Sequence, residues 1–186
     1  KTLPSVADNQ FGDDVWRNSN SGVYNVDFAD DKSLAAKFQL KAMTGPEQTG
    51  TAVFDWTDAV TGINSAEYTA DWGLPQAQWD MLGGGTSYIS VRAYDMGGST
   101  SVLVDAFYVR KDTVPAPAVS GLAGVTASEG AIALAWSAPS DGGASVSGYL
   151  VKISSFLNIN DANFDSAQTY VQAWTPVQPG SPESYN

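Results

Sequence analysis

The chain has no cysteine and no histidine. A cysteine nucleophile, a Ser–His–Asp triad, an imidazole general base and an ordinary zinc site are therefore all excluded. A disulfide framework is excluded too, although absent cysteine does not by itself assign a redox compartment. Positive charge is scarce: 9 Lys and Arg face 20 Asp and Glu, giving a formal charge of −11. Such a balance argues against nucleic acid and anionic membrane surfaces as partners. No stretch approaches the roughly 20 consecutive apolar residues that a helical membrane span requires, so no membrane insertion is expected. An initiator methionine and a signal-peptide pattern are also missing, and the chain reads as an internal or processed piece of a longer protein.

Aromatic residues, by contrast, are plentiful. Six Trp, eight Tyr and seven Phe in 186 residues supply enough large apolar surface for stable cores. A chain of this length can hold one large domain or two modules of about 100 residues. The segment "SLAAKFQLKAMTG" alternates, with Ala36, Phe38, Leu40 and Ala42 on one face and Lys37, Gln39 and Lys41 on the other. A period of two predicts a strand with one wet face. "TAVFDWTDAVTG" places Ala52, Phe54 and Trp56 together, and "GVYNVDFAD" does the same for Tyr24, Val26 and Phe28. In "SYISVRAYDMGGSTSVLVDAFYVRKD" two β-rich runs flank a Gly-Gly turn, which predicts a hairpin. "EYTADWGLPQAQWDMLGGG" predicts a strand, a Pro-broken corner and one helical turn around Trp79 to Leu82. Short strands with turn signals between them predict an all-β, antiparallel sandwich.

The hairpin and its exit "KDTVPAP" resemble bacterial Ig-like modules strung in tandem in large surface proteins. The resemblance covers most of residues 5 to 113. In "GLAGVTASEGAIALAWSAPSDGGASVSGYLVKISS", Leu122, Val125, Trp136 and Tyr149 resemble the first half of a fibronectin type III domain. That resemblance implies core roles for Trp136 and Tyr149, and Trp136 is in phase with Ile132 and Leu134. The remainder departs from the family pattern: one strand-like piece, Gln168 to Trp174, then a run broken by Pro176, Pro179 and Pro182.

The expected organisation is an Ig-like β-sandwich with its N-terminal linker over 1–113, a linker over 114–119 and an incomplete fibronectin type III-like sandwich over 120–186. Both "KTLPSV" at the start and "KDTVPAPAV" at the junction run from Lys through Thr-aliphatic-Pro to Val. Their likeness points to a window cut from a tandem array with semi-stiff junctions. Three routes could complete the second sandwich: further residues of a longer parent, a strand donated by a neighbouring subunit, or a fold-back of the irregular tail. The abrupt break in the pattern at Asn186 favours the first.

Candidate sites are few. Asp13, Asp14, Asp95 and Asp112 sit at module ends and offer hard oxygen ligands for a junctional calcium ion; apart from that candidate no cofactor is expected. Solvated turn carboxylates are the competing reading. Trp16, Trp72 and Trp79 lie in irregular stretches and are the candidates for a glycan-stacking platform; their competing role is to cover the ends of the sandwich. Trp56 is assigned to the core. The carboxylate pairs Asp55/Asp58 and Asp71/Asp80 lack any predicted cleft for glycosidase chemistry, and no phosphate loop is present, so no enzyme is expected. The sequence reading is thus a structural spacer, stalk or filament unit at a bacterial cell surface, with neighbouring modules as partners. The alternative is a carbohydrate-binding or adhesin module.

Overall fold

The computed structural model describes residues 2–10, 15–141 and 144–185. Its elements in chain order are β1 (Ser5–Asp8), β2 (Trp16–Arg17), β3 (Val26–Ala29), β4 (Ala35–Met43), β5 (Ala52–Ser65), β6 (Glu67–Tyr68), α1 (Gln76–Met81), β7 (Gly85–Asp95) and β8 (Thr100–Lys111). Next come β9 (Ser120–Ser128), β10 (Ala131–Ser137), β11 (Ser140–Asp141), β12 (Ala144–Ser145), β13 (Val151–Ile153), β14 (Gln168–Tyr170) and β15 (Pro182–Tyr185). The protein is all-β, with α1 as its only described helix, and that helix is too short to cross a membrane. The chain divides into two compact units, Lys1–Thr113 and Val114–Asn186.

In the first unit a three-stranded sheet, β1-β3-β6, accompanies a five-stranded sheet, β2-β8-β7-β4-β5. Their aromatic side chains meet directly. Phe28 of β3 stacks on Phe38 of β4 with ring centroids 4.2 Å apart, and Tyr24 stacks on Phe107 of β8 at 4.0 Å. Val26, Leu40, Ile89, Val91 and Val109 complete the fully buried layer. This arrangement is consistent with a β-sandwich type domain, in which alternate residues of each strand enter a shared core. The predicted β7–β8 hairpin is present, and Gly98 at its turn has φ +77°, a conformation that favours glycine. Helix α1 begins at Gln76, earlier than the turn expected at Trp79. Its first turn closes when the Pro75 carbonyl accepts hydrogen bonds from the Gln78 and Trp79 amides, and Trp79 is buried.

Two predicted phases shift, for one reason. The β4–β5 register holds Ala42 opposite Phe54 but Leu40 opposite Thr57, so β5 carries an extra residue between those pairs. Because side chains alternate with period two, one inserted residue turns its successors to the other face. Phe54 stays in the core, whereas Trp56 is only half-buried and lies under the Arg92 guanidinium on the outer face. The assignment of Trp56 to the core is corrected accordingly. A second irregularity, between Ala35 and Lys37, puts Ala35 in the core in place of Ala36.

The second unit has a three-stranded sheet, β15-β10-β9, and two-stranded pairs β13-β14 and β11-β12. The expected strand Gln168 to Trp174 is shorter, ending at Tyr170. The irregular tail does fold back: β15 pairs antiparallel with β10, setting Tyr185 opposite Leu134 and Pro182 opposite Ser137. Pro182 opens that strand, a position where its missing N–H is tolerated.

Candidate functional site

The second unit gathers three further aromatic rings around Trp136. Tyr149 meets it edge-on at 5.1 Å, Tyr185 stacks at 5.4 Å, and Trp174 lies at 5.8 Å while itself stacking on Tyr185 at 4.5 Å. Glu183, 4% exposed, anchors the cluster by accepting hydrogen bonds from the Tyr149 hydroxyl and the Val177 amide. Burial, then the Glu183 hydrogen bond, push the Tyr149 hydroxyl above its ordinary pKa. Gln172 donates to the Tyr149 carbonyl, and the Tyr185 hydroxyl donates to that of Thr175. These contacts pin the segment after β14 against the cluster although it forms no ladder.

Cover is incomplete beyond these rings. A groove of about 530 Å³ opens beside Trp136, lined among others by Leu122, Leu134, Leu150, Phe164 and Trp174. Leu122 and Leu150 are 63% and 60% exposed, and Ile132, in phase with Leu134 and Trp136, is 63% exposed. Strand β9 lies close against β10 here: a Cβ added at Gly124 would sit 3.4 Å from methyl groups of both Ile132 and Leu134. Among the described residues strand β9 bonds only β10 and so forms one edge of its sheet. An apolar face bordered by an unpaired strand edge is suited to receiving another β-strand. The sequence reading named Trp136 and Tyr149 for this core but missed Glu183 and Tyr185. The alternation in "PESY", which turns Glu183 and Tyr185 to one side, was the available signal.

The calcium candidates are not brought together. Asp13 and Asp14 lie outside the described residues. Asp95 and Asp112 stand at opposite ends of the β7–β8 hairpin, and β7 alone has 11 residues, a span of about 30 Å at ~3.3 Å per residue. They cannot share an ion. Asp95 is 2% exposed and accepts a 2.6 Å hydrogen bond from the Ser99 amide of its own turn. No group of three or more metal-binding side chains occurs among the described residues.

The three tryptophans offered as a stacking platform separate as well. Trp72 is 6% exposed, packs 4.8 Å from Phe38, and its indole N–H donates to the Val26 carbonyl at 3.1 Å. Trp79 is 4% exposed beneath the Lys111 ammonium. Their expected exposure is corrected: these irregular stretches fold inward because large rings fill the ends of the core. Only Trp16, at 43%, faces solvent. Of the carboxylate pairs, Asp55 and Asp58 bind Lys41 and Lys37 at 3.4 and 2.8 Å. The Lys37 and Gln39 hydrogen bonds hold Asp58 below its ordinary pKa, the reverse of what a general acid needs.

No family model and no curated protein matches the chain.

Proposed function

We propose that the chain is a non-enzymatic structural module, a spacer, stalk or assembly unit, of an extracellular bacterial surface or filament-forming protein. On this reading the first unit is an Ig-like sandwich that passes the chain along. The second is a fibronectin type III-like sandwich whose open face is finished by a strand of a neighbouring module or subunit of the same kind. One observation carries the proposal: Leu122, Ile132 and Leu150 remain mostly in water in and beside a groove that adjoins a well-packed aromatic cluster. Exposure of that much apolar surface beside an unpaired edge is costly in a free monomer and favourable at an interface. The Trp136 cluster supplies the rigid base that a docking strand requires.

The test is sedimentation velocity of the full chain across micromolar to millimolar concentration. Association that grows with concentration, and that is abolished by Leu122→Glu combined with Ile132→Glu, is the expected result. A species that stays at 19.6 kDa throughout, or association indifferent to both charges, overturns the reading.

A further inference from the structure

Edge strands invite pairing with other chains, and natural folds blunt them with charge, proline or brevity. Most edges among the described strands follow that rule. β5 carries Asp55 and Asp58, β1 ends in Asp8, and β15 holds Pro182 and Glu183. The other edges, β9 apart, are at most three residues long. Strand β9 breaks the rule. Its nine residues, SGLAGVTAS, contain neither charge nor proline, and its Leu122 and Val125 are 63% and 65% exposed.

Charge and register decide which strand can meet it. Each chain carries −11, so two copies repel least where they touch through an uncharged stretch. Parallel docking of β9 on β9 sets the two Glu129 residues that follow the strand side by side, whereas antiparallel docking sends them to opposite ends. A two-fold axis normal to the sheet pairs only residues of one face, so their numbers differ by an even count. The ladder with β10 is irregular at both ends of β9: Ala127 has no partner there, and Gly121, φ +67°, lies in the other break. An axis at Gly124 leaves both outside a paired stretch of 122–126. It sets Gly124 against its own counterpart and each Ala123 against a Val125, small against large.

We propose that β9 is both the edge that receives a strand and the strand that docks: two copies of this chain pair β9 with β9, antiparallel, across a two-fold axis at Gly124. The sheets β15-β10-β9 of the two copies then join into one of six strands. This inference rests on the assembly reading above and names its partner strand. Even register keeps Leu122, Gly124 and the Ile132–Leu134 row of both copies on one face, so the two grooves open side by side and their exposed aliphatic side chains become neighbours. A two-fold contact is closed, so it yields dimers and no longer polymer. On the surface-protein reading it ties two stalks together laterally.

With no native cysteine, disulfide trapping of full-length single-cysteine variants is the direct test. Directly opposed antiparallel residues have Cα atoms about 4.5–5.5 Å apart, within the range of about 4.4–6.8 Å that a disulfide spans. Gly124→Cys should link to itself at least about tenfold faster than Val171→Cys, a control outside β9 at an 89% exposed position. Should Gly124→Cys disturb the β9–β10 ladder, a mixture of Ala123→Cys and Val125→Cys chains tests the same register. Its mixed disulfide should form faster than either chain links to itself. Sedimentation of the parent should show monomer and dimer only. A parent that never associates removes the assembly reading and this pairing with it. Association that Leu122→Glu with Ile132→Glu abolishes, but that shows no linking preference at these positions or grows beyond the dimer, leaves the assembly reading standing and overturns β9 self-pairing.

Discussion

The two units use the same residue types to opposite ends. In the first, Phe28, Phe38, Leu40, Ile89 and Val91 are each at most 1% exposed. In the second, Trp136 and Ala138 are the buried apolar side chains among the described residues, while Leu122, Val125 and Ile132 are each more than 60% exposed. The strands that carry these residues alternate equally well. What differs is the number of strands available to cover them. A five-stranded sheet meets a three-stranded one in the first unit, and in the second a three-stranded sheet is accompanied, among the described residues, only by two-residue and three-residue pairs. A strand's pattern establishes which face is apolar, but whether that face becomes a core or an interface depends on what lies opposite.

The largest effect that tests this contrast is a pair of truncations. Phe38→Ala removes a ring stacked on Phe28 and packed against Trp72, and should cost about 3–5 kcal/mol. Ile132→Ala should cost less than about 1 kcal/mol, because most of that side chain is already in water. Urea denaturation of the full chain, followed by fluorescence and far-ultraviolet circular dichroism, measures both. Comparable losses at a concentration where sedimentation shows a monomer would mean that the Ile132 face is covered within the chain itself, and the contrast between the units would fail.

A smaller effect separates the units by pH. Burial first and Glu183 second raise the Tyr149 pKa, and the same two causes raise that of Tyr185. A raised tyrosine means that the folded unit keeps a proton the unfolded chain releases. The associated stability is complete below the ordinary tyrosine value of about 10 and is lost as pH rises through the folded value. Melting temperature of the second unit should therefore fall above a pH of about 10, and Tyr149→Phe should flatten part of that slope. A slope unchanged by the substitution would show that Tyr149 is not held by Glu183.

Much of this was legible in the sequence. Alternation identified the strands of the first unit, the Gly-Gly turn located the hairpin, and the resemblance to a fibronectin type III half-domain, not periodicity, implied that Trp136 and Tyr149 share a core. The all-β class came from those elements alone. Three things were not legible, each for a physical reason. The extra residue in β5 changes the face of Trp56 without changing composition, so strict alternation assigned it inward. Trp72 and Trp79 occupy irregular backbone, where no period indicates direction, and burial there depends on the distant partners Phe38 and Lys111. Pairing of β15 with β10 joins residues roughly 50 positions apart, across a Pro-rich run that locally argues against any strand.

The smallest effect belongs to the outer face of the first unit, and it sharpens the comparison by showing how little surface charge contributes where the core is closed. Asp58 bonds Lys37 at 2.8 Å and Gln39 at 2.7 Å, and these two hydrogen bonds, the lysine's first, hold its pKa below the ordinary carboxylate value. For a depressed carboxylate the stability is present above the unfolded pKa and is lost as pH falls through the folded one, here below about pH 4. Asp58 is 42% exposed and Lys37 32%, so solvent screens the pair and Asp58→Asn should cost no more than about 0.5 kcal/mol at neutral pH. The variant should also lose stability less steeply than the parent as pH falls below about 4. A cost of several kcal/mol at neutral pH would place Asp58 in a desolvated network, and the outer face of the first unit would then be a covered surface like its core.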